Sequence, residues 1–181
     1  DVCEERIHDI NPEIRVVKHP IFYLPNSVET RELEFQNYDY IIDAIDTVSA
    51  KIGLVLAAKK AQVPILSCMG AGNKTDPSQL RACDLFETSM DPLARVMRRE
   101  LKKRGISHLK VVYSTEPAIN PLPERIEERE QEKMDQEEKG LPLRRRKDTP
   151  ASCAFVPPAA GLLAASVVVK ELMKAEGTRK G

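Results

Sequence analysis

The sequence contains no tryptophan, and phenylalanine and tyrosine bring the aromatic share to only 4%. That scarcity argues against base stacking as a way of holding nucleic acid, since stacking platforms are built from aromatic rings. An excess of charge is also missing: 28 Lys and Arg stand against 28 Asp and Glu. Bulk charge therefore gives no argument for nucleic acid, membrane or an acidic ligand, and only its distribution can. The four cysteines, Cys3, Cys68, Cys83 and Cys153, form no C-x-x-C pair and have no histidines at ligand spacing, which argues against structural zinc. The amino-terminal DVCEERIHDI lacks an apolar signal core, so a reducing, cytoplasmic setting is expected.

A long unbroken hydrophobic run is likewise wanting. The longest uncharged stretch, TPASCAFVPPAAGLLAASVVV at 149 to 169, is interrupted by Pro157 and Pro158. Proline interrupts a helix, which leaves Ala159 to Val169, about half of the roughly 20 residues a bilayer span requires. The expectation is a buried core or interface helix and no integral membrane segment.

What is present is enough for one ordinary domain: 181 residues, of which 41% are hydrophobic. Residues 1 to 10 set Val2, Ile7 and Ile10 among charges and stop at Asn11-Pro12, as a helix does, so the chain opens inside an element. IRVVKH at 14 to 19 reads as a short strand, and Val28 to Phe35 as a short helix capped by Asn26 or Ser27. Tyr40 to Ile45 then reads as a buried strand and Ser49 to Gln62 as a helix. Next come a strand in VPILSCMGAG, a strand near Leu80 to Phe86, a helix from Pro92 to Arg104, a strand at Leu109 to Ser114 and a helix from Ala159 to Ala175. Apolar strands alternating with helices require a mostly parallel sheet covered on both faces, so the fold class is α/β. Between Glu124 and Lys147 lie eight acids and eight bases with almost nothing to bury, which marks 124–150 as a charged insertion, a mobile loop or solvated helix.

In an open parallel sheet, ligands bind beyond the carboxyl ends of the strands. Asp43 and Asp46 stand at one such end, in YDYIIDAIDTVSAK, and Gly70 and Gly72 at another, in CMGAG. The acids suit Mg²⁺ held against nucleotide phosphates, and the glycines suit a close backbone approach to ligand. Equally, Asp46, Thr47 or Ser49 can cap the following helix, and on composition the two readings stand about level. The helix DPLARVMRRELKKRG carries Arg95, Arg98, Arg99, Lys102, Lys103 and Arg104 against the single acid Glu100. With RRRK at 144 to 147 it is a candidate phosphate-backbone footprint, although a solvated cationic face is the commoner account. Cys153 has no histidine near it in sequence and reads as filler.

Five segments, DYIIDAIDTVSAK, VPILSCMGAGNKTDPSQL, DPLARVMRRELKKRG, VVYSTEPAINP and CAFVPPAAGLLAASVVVKEL, occur in an order and spacing that resembles the tRNA threonylcarbamoyladenosine dehydratase family. That family belongs to the E1-like adenylating enzymes related to ThiF and MoeB. The DPLA and STEP segments distinguish it from the sulfur-carrier activators. The resemblance implies a Rossmann-like sheet and an ATP- and Mg²⁺-dependent cyclisation of N6-threonylcarbamoyladenosine in tRNA through an acyl adenylate. It implies Asp46 as the catalytic, metal-associated acid, with Asp43, Lys51, Gly70 and Gly72 lining the nucleotide site. It further implies a homodimer and Cys153 as a candidate thiol contact with a sulfur-relay partner, and with tRNA as substrate the basic residues Arg95, Arg98, Arg99, Lys102 and Lys103 become the candidate nucleic-acid contacts.

The family's first strand with its glycine-rich phosphate loop, its ribose-binding acid, and its phosphate-facing arginine and lysine have no counterpart in these residues. Amides of a helix amino terminus are a principal anion site, so this chain is expected to be a partial domain, inactive by itself, with activity in a longer parent. Two other functions compete with the dehydratase: adenylation of a ubiquitin-like or sulfur-carrier carboxyl terminus, and a non-catalytic dimerisation or binding fragment.

Overall fold

A computed structural model describes residues 1–25, 27, 30, 33–119 and 151–179. Those residues form two compact units, Asp1–Leu33 and Glu34–Gly181. The charged stretch at 124 to 147, with its RRRK run, lies outside the described residues, as do residues 28, 29, 31 and 32, half of the helix expected over Val28 to Phe35.

In the first unit, helix α1 spans Val2–Ile10 and ends where Asn11 turns to extended backbone. Lys18 closes back on its amino terminus, its Nζ lying 2.8 Å from Asp1 Oδ1 and 2.6 Å from Glu4 Oε2. Two acids at the positive end of a helix dipole gain from that placement as well. IRVVKH is not a strand, contrary to its composition. β-propensity describes how well a side chain fits a pleated surface beside a neighbour, and among the described residues no strand pairs with these.

The second unit contains the sheet. In chain order its elements are β1 (Ile41–Asp43), α2 (Val48–Lys60), β2 (Ile65–Cys68), β3 (Leu80–Asp84), α3 (Pro92–Lys102), β4 (Lys110–Ser114) and α4 (Val156–Arg179). The strand order is β1-β2-β4-β3. The first three are parallel and β3 runs antiparallel to β4 at the edge, a frequent arrangement in otherwise parallel α/β sheets. The α/β expectation with a mostly parallel sheet holds.

Each face of the sheet is covered by helix. Leu66, Leu80 and Val112 meet Val156, Ala160, Ala164 and Val168 of α4, whose spacing of four residues keeps those side chains on one stripe. Ser67, next along β2, points to the opposite face, where Lys51 of α2 meets it through Asp43. Helix α3 buries Ala94, Met97 and Leu101, while Arg95, Arg99 and Lys102 are exposed.

The final helix is longer than expected. It starts at Val156, so Pro157 and Pro158 lie in its first turn instead of breaking it. The first amides of a helix have no intrahelical acceptor, and proline there costs no hydrogen bond. The 20 residues Val156–Ala175 are thus long and apolar enough to cross a membrane by length and composition, which corrects the estimate of half a span. Phe155, Leu162, Val169 and Met173 are each more than half exposed.

Candidate functional site

Strands β1 and β2 are in parallel register, with Asp43 opposite Ser67. Asp46 and Gly70 each follow three residues later, so both leave the sheet from the carboxyl ends of neighbouring strands. This is the crevice position where open α/β sheets bind ligands. Asp46 is exposed. It caps nothing: the cap position of α2 is Thr47, which makes no side-chain capping bond, and Asp46 Oδ1 only accepts from the Thr47 hydroxyl at 3.3 Å. The capping alternative is therefore not what this turn does.

Asp43 has the opposite environment. Its side chain and that of Lys51 expose no surface, and Lys51 Nζ lies 3.0 Å from Asp43 Oδ2. The same oxygen accepts from Ser67 Oγ at 2.5 Å, while Oδ1 accepts from the Ile45 amide at 3.0 Å. An ion buried alone is strongly disfavoured, and pairing with additional hydrogen bonds is what makes this burial tolerable. Asp43 and Lys51, expected against nucleotide, are thus given to each other. Next to them, burial pushes the Cys68 thiol above its ordinary value, with Lys51 opposing and Asp43 reinforcing that rise.

Beyond β2 the chain passes Gly70 and Gly72 into a loop that several segments hold. Lys74 is buried; its Nζ donates to the Ser114 carbonyl at 3.1 Å and lies 3.7 Å from Asp91 Oδ2. Asp91 in turn caps α3, accepting from the Ala94 amide at 2.7 Å with Pro92 at the first helical position. Glu116, of the STEP segment, accepts from the amides of Thr75 and Asp76 at 3.0 Å, and those donors hold its carboxyl below the usual range. A side chain built at Gly70 would only reach ordinary contact with Asp91, at 3.8 Å, so packing within the chain does not demand glycine there.

Cys153 is half-buried and its Sγ donates to the Lys74 carbonyl at 3.3 Å. All four cysteines are free thiols. Lys74, Ser67 and Glu116 escaped the sequence reading, because buried polar residues carry no periodic signal. Their only trace was a lysine and a glutamate beside otherwise apolar strand ends.

The basic helix divides by use. Arg98 turns inward and donates to the Thr88 carbonyl at 2.9 Å and to the Thr88 hydroxyl. Arg99, Lys103 and Arg104 all bond Glu100, whose carboxyl they hold down to about 2. Arg95 and Lys102 are exposed. Among the described residues no three His, Cys, Asp or Glu side chains converge on a metal position. A lone exposed carboxylate is still the donor set expected for Mg²⁺ that arrives on nucleotide phosphates, since that ion keeps waters and uses one or two protein carboxylates.

No protein-family model matches the chain. It is 38% identical over 177 residues to the tRNA threonylcarbamoyladenosine dehydratase of Bacillus subtilis, covering 96% of this chain and 65% of that protein. To the Escherichia coli enzyme of the same name it is 36% identical over 129 residues, 67% of this chain and 47% of that protein. The chain thus spans less than two thirds of either relative. The crystal structure of the Escherichia coli dehydratase in complex with ATP superposes with a TM-score of 0.74 at 30% identity, covering 99% of this chain and 65% of that one. The AMP complex gives a TM-score of 0.73, also at 30% identity. Along nearly its whole length, in sequence and in backbone, the chain is similar to the tRNA threonylcarbamoyladenosine dehydratases.

Proposed function

We propose that the protein carrying this chain catalyses ATP-dependent dehydration of N6-threonylcarbamoyladenosine in tRNA. The observation that carries the reading is Asp46, exposed and uncommitted to helix capping at the carboxyl end of β1, beside the glycine turn that follows β2. The Escherichia coli relative with this backbone was solved with ATP and with AMP.

The chemistry follows from the substrate. A carboxylate is a poor electrophile because oxide or hydroxide would have to leave. Attack of the threonyl carboxylate oxygen on the α-phosphorus of ATP forms a P–O bond, breaks the α–β phosphoanhydride and releases pyrophosphate. A nucleophile of the same side chain then attacks the acyl carbon and AMP departs with the oxygen, so the net change is loss of one water. Mg²⁺, when bound with the nucleotide, offsets phosphate charge as it shifts. Asp46 would hold it, and Gly70 and Gly72 leave backbone room for the nucleotide. Arg95, Arg99, Lys102 and Lys103 supply exposed positive surface for the tRNA backbone, whereas Arg98 is already committed to Thr88.

Two further assignments accompany this one. The exposed Leu162, Val169 and Met173 recur at intervals of seven and four along α4, with Phe155 immediately before it, and their burial against a second copy makes a homodimer. A cytoplasmic location fits a tRNA substrate and four free thiols, and α4 serves as a core and interface helix. Cys153, if it meets a sulfur-relay protein, must first release its bond to Lys74.

The test is pyrophosphate exchange in the full-length protein with threonylcarbamoyl-modified tRNA. Asp46→Ala is expected to reduce exchange by at least about a hundredfold, the scale of removing one transition-state contact. Unchanged exchange in that variant removes Asp46 from the site.

A further inference from the structure

The turn between β1 and α2 has an unusual division of labour. Its exposed residue, Asp46, carries the proposed chemistry, yet on the helix side only the Thr47 hydroxyl reaches it, at 3.3 Å, and Thr47 makes no capping bond to α2. The buried support lies underneath. Asp43 is the last residue of β1 and Lys51 stands in the first turn of α2, so their ion pair closes over the four-residue connection 44–47 and the start of the helix. Asp43 Oδ1 takes the Ile45 amide, which fixes the backbone one residue before Asp46. Ser67 of β2 donates to the other oxygen, which ties the pair to the neighbouring strand. Every oxygen of the carboxylate is thereby used, and neither charged group reaches the surface. A wholly buried ion pair is weak evidence for net stability but a good means of specifying one local conformation.

We infer that Asp43, with Lys51 and Ser67, is a positioning residue. It sets the turn that presents Asp46, and neither Asp43 nor Lys51 touches nucleotide. The inference rests on the reading of Asp46 given above.

Two charge-balanced double variants of the full-length protein separate the alternatives. Asp43→Asn/Lys51→Met keeps an oxygen that accepts from the Ile45 amide, whereas Asp43→Ala/Lys51→Met removes it. The readouts are the Mg²⁺ concentration needed for half-maximal pyrophosphate exchange, the KM for ATP, and hydrogen exchange of the amides at 44–47. The asparagine variant should stay near wild type in all three. The alanine variant should need about tenfold more Mg²⁺ and exchange the Ile45 amide about tenfold faster, the scale of one hydrogen bond, with KM for ATP changed less.

Exchange chemistry lost in the asparagine variant as fully as in Asp46→Ala, with the fold intact, would mean direct ligand contact and overturn the inference. Wild-type behaviour of the alanine variant in every readout would overturn it as well. If that variant does not fold, Ser67→Ala removes one Asp43 donor at constant charge and should move Mg²⁺ dependence and amide exchange in the same direction; no movement is contrary. Should wild type show no ATP chemistry, the reading of Asp46 fails separately. Amide exchange alone then decides whether Asp43 holds the turn.

Discussion

Lys51 Nζ lies 3.0 Å from Asp43 Oδ2 with both side chains wholly withdrawn from solvent, which makes each residue the condition for burying the other. Lys51→Met leaves a buried carboxylate without its counter-charge. It should lower unfolding free energy by about 3–5 kcal/mol. Adding Asp43→Asn should recover much of that loss, because the stranded charge is gone. Urea denaturation at neutral pH checks both; a single variant as stable as wild type would contradict the pairing.

Asp91 serves two partners, the Ala94 amide and the Lys74 ammonium. Asp91→Ala removes a helix cap, worth about 1 kcal/mol, and strands a buried lysine as well. The expected cost is therefore about 3 kcal/mol or more, and clearly above that of Asp76→Ala, whose cap serves only a three-residue turn. Thermal and urea unfolding of the two variants side by side provide the comparison.

Glu116 is held below the ordinary glutamate range by the Thr75 and Asp76 amides. A carboxyl depressed by folding contributes stability that is fully present above its unfolded value, about 4.3, and is lost as pH falls through the lower folded value. The stability difference between wild type and Glu116→Gln should accordingly be constant from pH 7 to about 5 and shrink below about 4. A gap that widens on acidification has the wrong sign.

The strand ends and helix spans of the second unit were legible because each is decided by local pattern. Ile41 and Ile42 lead to Asp43, Ile65 and Leu66 to Cys68, and Val111 to Tyr113 lie fully inside. Where the reading slipped, context decided. Pro157 and Pro158 read as breakers but stand where amides need no acceptor, and IRVVKH has a strand's composition without a partner strand. Asp46 was placed by its distance from a strand end. That Asp43 belongs to the interior could not be read, since the residues satisfying it, Lys51 and Ser67, lie on two other elements.

Cys68 and Cys3 are contrasting thiols. Burial pushes Cys68 upward and leaves little thiolate at neutral pH, whereas Cys3 is exposed. Iodoacetamide at pH 7.5 should label Cys3 at least about tenfold faster than Cys68, a ratio that mass spectrometry of timed digests reads directly. Equal rates would mean that β2 opens to solvent.

The central claim concerns the fate of the modified adenosine. Full-length protein, ATP, Mg²⁺ and threonylcarbamoyl-modified tRNA are incubated together, and the tRNA is digested to nucleosides for mass spectrometry. The account predicts that the modified nucleoside loses the mass of one water, with one AMP and one pyrophosphate formed per conversion. An unchanged nucleoside, with ATP consumed instead by adenylation of a carrier protein's carboxyl terminus, would contradict it.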